Sequence, residues 1–92
     1  DFAKVQKIKT EKLKLTFQEK KDYESIEQEM VNLENTLKSL EQEIVKAATD
    51  FVKLNHLTAK KQEIEQALES KIERYLYLEE LVSKINETEE NG

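Results

Sequence analysis

The chain has 92 residues, of which 38% are charged and 37% hydrophobic, and a net charge of −5. That is enough for one small domain, with a charge content that suits long solvated helices better than a large buried core. It has no Cys, no Pro and one Gly, at position 92, which excludes disulfides, thiolate chemistry, Cys-based zinc sites and a glycine-rich phosphate cradle.

Residues 1–15 read as a Lys-rich linker or arm. Across residues 1–16, Lys4, Lys7, Lys9, Lys12 and Lys14 stand against Asp1 and Glu11, for a charge of +3. Residues 17–45 carry eight acids against Lys20, Lys21 and Lys38, for −5. Residues 46–61 return to +3, with Lys46, Lys53, Lys60 and Lys61 against Asp50, and residues 62–92 hold nine acids against Lys71, Arg74 and Lys84, for −6. The acidic chain therefore has two basic islands.

A helix start is written at "LTFQEKK". Thr16 followed by Glu19 is the capping-box pattern, in which each side chain satisfies the other's backbone N–H. Tyr23, Ile26, Met30, Leu33, Leu37, Leu40 and Ile44 then recur at alternating spacings of 3 and 4, the seam of a coiled coil. The helix is predicted from about 16 to 47, roughly 45 Å at about 1.5 Å per residue. A tip is predicted at about 48–56, within "ATDFVKLNHLT", where the period breaks without Gly or Pro. Asp50 and Asn55 offer short acceptors there, and Asn55 is the expected cap of the second helix. Phe51 and Leu54 are expected to cover the seam's end.

The second helix is predicted over about 56–88. Leu57, Ile64, Leu68, Tyr75, Leu78, Val82 and Ile85 continue the spacing, with Lys61 and Lys71 on seam positions. Ile72, Leu76 and Leu81 widen the stripe, so that the arm's Val5, Ile8, Leu13 and Leu15, or another chain, are candidates to cover it. Pairing positions whose numbers sum to about 101 sets Ile44 opposite Leu57, Leu37 opposite Ile64, Leu33 opposite Leu68, Ile26 opposite Tyr75 and Tyr23 opposite Leu78. Every such layer is apolar. The expected fold is all-α: a two-helix antiparallel coiled-coil hairpin over 16–92 with a basic N-terminal arm. Lys61 would oppose Leu40, its stem on the seam and its amine in solvent.

Catalysis is not expected. His56 has no second His or Cys and no triad partners, and reads as a tip residue. Glu79 and Glu80 are adjacent and point to different sides of a helix, as solvated acids do, and two helices form no desolvating pocket. "NET" at 86–88 reads as a chance match to a glycosylation pattern. No metal site is expected. The Lys islands suit phosphate contacts, and Phe2 and Phe51 could stack on bases. Tyr75 and Tyr77 read as seam and flank packing.

Several stretches together are similar to a known domain. "KLKLTFQEKKDYESIEQEM", with Leu15, Thr16, Phe17, Glu19 and Tyr23, "TDFVKLNHL" at the tip, and "ERYLYLEEL" at 73–81 resemble the C-terminal coiled-coil domain of ABC-F family ATP-binding proteins. A departure is the tip without Pro, a residue many members of that family carry there. The resemblance implies a non-catalytic appendage of a cytoplasmic ATPase without membrane domains. ATP would be held elsewhere in the parent chain, and no cofactor in this segment. That the chain begins at Asp1 fits a fragment. The partners implied are nucleic acid (DNA or ribosomal RNA) or the ribosome, and the ATPase domains of the same parent chain. Candidate nucleic-acid contacts are Lys7, Lys9, Lys12 and Lys14 in the arm and Lys53, His56, Lys60 and Lys61 at the tip. The alternative is a protein-interaction or self-association module acting through Tyr75, Leu76, Leu78 and Leu81. Neither needs a membrane, and no stretch of about 18 apolar residues is present.

Overall fold

The structure, a computed structural model, describes residues 14–91, with side chains through Thr88; Lys7, Lys9 and Lys12 of the arm, with Phe2, Val5, Ile8 and Leu13, lie outside the described residues. Two helices form a hairpin: α1 (Phe17–Lys46) and α2 (Phe51–Asn91). The molecule is a rod of 68 × 24 × 17 Å.

The first helix starts where the capping box is written. The Glu19 N–H donates to Thr16 Oγ1 at 3.1 Å, and the Thr16 N–H donates to Glu19 Oε1 at 2.8 Å. Two N–H groups that the helix cannot satisfy internally are thereby paired.

The tip is shorter than the spacing predicts. Ala47 closes α1 in a right-handed conformation (φ −82°, ψ 0°), its N–H shared between the carbonyls of Glu43 and Ile44. The Asp50 N–H then donates to the Ala47 carbonyl at 2.7 Å. No residue among those described has positive φ, so the reversal needs no glycine. The second helix begins at Phe51, not near 56. Asp50 caps it: its Oδ1 accepts the Lys53 N–H at 3.1 Å and its carbonyl accepts the Leu54 N–H at 2.8 Å. Asn55, the expected cap, lies inside the helix. An acceptor at position 50 meets the first free N–H groups before position 55 is reached.

The core is a single seam. Ile26, Leu40, Ala47, Leu57 and Leu78 are buried, and near the tip Leu40, Ala47 and Leu57 cluster with Ile44, Leu54 and Ile64. Leu54 thus covers the seam's end. Phe51 does not, being 72% exposed, because starting the helix at 51 turns position 54, not 51, towards α1. Six side-chain contacts between the helices join residues whose numbers sum to between 96 and 102. The register is therefore the one the apolar pattern implies. Lys61 lies along the seam, and its amine approaches Glu41 Oε2 at 3.9 Å rather than standing free in solvent.

Candidate functional site

The hairpin has two ends of different chemistry. At the tip, Lys53, His56 and Lys60 are all exposed. Their spacings of 3 and 4 place them on one stripe of α2, about 10 Å long at about 1.5 Å per residue. Lys46 is exposed at the end of α1. Among the described residues none of these four is in an ion pair, whereas Lys61, Lys71, Arg74 and Lys84 each hold a carboxylate within 3.9 Å. Lys14 is exposed and precedes α1, so the whole of α1, roughly 45 Å, separates it from the tip. The structure brings Lys53, His56 and Lys60 together, and Lys61 beside them but engaged; Lys14 stands apart.

Sequence reasoning missed the apolar part of the tip. Val45 is 75% exposed and Val52 83% exposed, beside the exposed Phe51. Val45 and Val52 are off the 3/4 spacing of the seam, and that was the signal available.

At the opposite, open end the helices are joined by polar bonds. The Tyr23 hydroxyl donates to Glu79 Oε1 at 2.7 Å and the Tyr77 hydroxyl to Glu19 Oε2 at 2.6 Å. Arg74 donates from Nε and Nη2 to Asp22 Oδ2 at 3.3 and 3.1 Å, and its guanidinium lies 5.2 Å from the centre of the Tyr77 ring, within cation–π range. Tyr75 makes a longer bond to Glu27 Oε1 at 3.4 Å. The Thr16 N–H and then the Tyr77 hydroxyl hold the Glu19 carboxyl below the usual carboxylate range. The Gln18 amide, and after it Arg74, does the same for Asp22. The bonds to Glu79 and Glu19 push the Tyr23 and Tyr77 hydroxyls up, because a neighbouring carboxylate opposes a phenolate. Tyr75 is raised chiefly by desolvation. These phenols and acids face one another in the 96–102 register, a relation the sequence contains but apolar spacing alone does not display.

The protein-interaction candidates separate. Leu78 is completely buried between the helices, so it is withdrawn from any outer surface; a seam position opposite α1 cannot also face out. Tyr75 and Leu81 are half-buried, and Leu76 is 61% exposed. Ile72, one turn from Leu76, is also exposed. No group of three His, Cys, Asp or Glu side chains suited to a metal ion occurs among the described residues.

The capping box, the tip and the three tyrosine–carboxylate bonds fall inside one homologous segment. The family model described as ABC transporter C-terminal domain matches residues 14–80, well over half of the chain. The chain belongs to this family. Neither the curated proteins nor the solved structures contain a significant match. The matched segment of this ABC transporter C-terminal domain takes in all of α1 and α2 as far as Glu80. Membership implies ATPase domains in the same parent chain, and the helical domain is not catalytic by itself. No helix among the described residues is long and apolar enough to cross a membrane.

Proposed function

We propose that this ABC transporter C-terminal domain is a non-catalytic appendage of an ABC-F type ATPase that contributes nucleic-acid or ribosome binding in the cytoplasm. ATP would be held in the ATPase domains of the parent chain, and this domain would carry no cofactor. The ABC-F reading is supported by "LTFQEKKDY" at the start of α1 and "ERYLYLEEL" in α2. The binding reading is carried by one contrast: cations near the seam are paired with carboxylates, while Lys46, Lys53, His56 and Lys60 at the tip are exposed and unpaired among the described residues. Lys14, Lys20, Lys21 and Lys38 also lack an ion pair among the described residues, but Lys20, Lys21 and Lys38 lie among the acids of α1. Residues 46–60, short of the paired Lys61, hold three Lys and one acid, a local field that attracts phosphate. The acidic flanks of both helices repel it, so contact is end-on.

The test is fluorescence anisotropy with a labelled duplex and a labelled ribosomal-RNA-like stem-loop at about 50 and about 200 mM salt. The comparison is a variant with the unpaired Lys46, Lys53 and Lys60 all changed to Gln, which leaves the Lys61–Glu41 pair in place. Affinity that falls steeply with salt and is lost in the variant supports the reading. Absence of binding at the lower salt refutes it.

A second reading rests on a different observation. Ile72 and Leu76, one turn apart, leave apolar surface exposed on α2, and a protein partner or the parent's own ATPase domains would cover it. Association measured by light scattering and lost on Leu76→Glu is its signature.

A further inference from the structure

We infer that the tip takes unpaired bases, so that the preferred nucleic acid is a single strand or the loop of a folded RNA rather than a duplex. This rests on the nucleic-acid reading above and goes further, by naming the form of the ligand. Three large apolar side chains, Val45, Phe51 and Val52, are each more than 70% exposed within one turn of the reversal. None of them helps to close the seam, which Leu54 and Ala47 already cover. They are bordered by the exposed Lys46 and Lys53, with His56 and Lys60 further along the Lys53 stripe. The one acid between Val45 and Lys61 is Asp50, and its Oδ1 is engaged by the Lys53 N–H.

Charge alone would serve any polyanion. The apolar group distinguishes among them. A duplex hides its base faces in the stack and offers this surface only phosphates and groove edges. Phe51 finds no open base face to stack on in a duplex. Phe51 lies across α2 from the Lys53–His56–Lys60 stripe at about 100° per residue, so an unpaired strand that lays a base on the ring crosses the end of the hairpin to bring its phosphates to that stripe. An aromatic face for bases combined with basic groups for phosphates is the general device for such strands.

The full 92-residue chain is titrated into a labelled single strand of about 12 nucleotides and into the duplex of the same sequence. Phe51→Ala and Phe51→Trp are run alongside. Because the ring is exposed and the chain has no Trp, both variants keep the wild-type melting temperature, and the Trp reports its own environment. Tighter binding of the single strand is expected. It weakens about tenfold in Phe51→Ala, while duplex binding changes by less than about twofold. The Phe51→Trp emission is quenched on binding.

Equal affinity for both forms, with no effect of Phe51→Ala and no quenching, overturns this inference and leaves the nucleic-acid reading standing. Failure to bind either form overturns both. Displacement of the strand by poly-glutamate at equal charge concentration would assign the tip to an acidic protein surface, and would also overturn the inference.

Discussion

The Tyr77 hydroxyl and the Glu19 carboxylate meet at 2.6 Å, and the second oxygen of that carboxylate accepts the Thr16 N–H at 2.8 Å. One side chain thus closes the first turn of α1 and ties it to α2. Local helix initiation and long-range pairing are coupled through a single residue. Glu19→Ala should lower the melting temperature more than Tyr77→Phe, since it removes the capping box as well as the bond between the helices. Thermal unfolding followed by circular dichroism checks the order, and an equal loss would mean that the two bonds do not share the Glu19 carboxylate as acceptor in solution.

Leu78 and Leu76 are two residues apart and differ completely in burial, at 0% and 61% exposed. Leu78→Ala should cost about 2–4 kcal/mol, the range for deleting a buried leucine. Leu76→Ala should stay within about 0.5 kcal/mol. Urea denaturation of both variants tests the register, because a one-position slip would move that difference onto other residues.

At the tip, Asp50 and not Asn55 caps α2. Asp50→Ala should destabilise by about 1 kcal/mol, as loss of an N-cap acceptor does. Asn55→Ala should be neutral or slightly stabilising, because Ala is the better residue in a helix interior. Equilibrium unfolding of the two variants, with Thr16→Ala as the matching loss at the other cap, makes the comparison internal.

The open end is sensitive to pH from both sides. Glu19 and Asp22 have carboxyls lowered by folding. Their contribution is present above the ordinary carboxylate range, about 4, and is lost as pH falls through the lower folded values. Tyr23 and Tyr77 are raised, so theirs is complete below about 10 and is lost as pH rises through the folded values. Phenolate absorbance should show Tyr→Phe at 23 or 77 removing a late-titrating component, and unfolding midpoints should decline on both flanks. A flat midpoint across both ranges would show that these bonds do not stabilise the fold.

The hairpin was legible because its determinants are local or periodic. Thr16 and Glu19 lie within one turn. The 3/4 spacing from Tyr23 to Ile44 meets its match from Leu57 to Ile85, and an apolar layer has only one register that buries both sides. Family membership was legible for the same reason, since its matching stretches are continuous in sequence. Other features depended on geometry that spacing does not carry. Whether α2 starts at Phe51 or near His56 is decided by how Ala47 and Asp50 share backbone bonds across the reversal. That choice turned Leu54 inward and left Phe51 and Val52 in water. Tyr77 and Arg74 found Glu19 and Asp22 more than fifty residues away. Periodicity states which face of a helix is apolar. Only the folded pair states which polar groups stand opposite one another at its edges, because hydrogen bonds act over about 3 Å and their partners are set by the exact height and rotation of two packed helices.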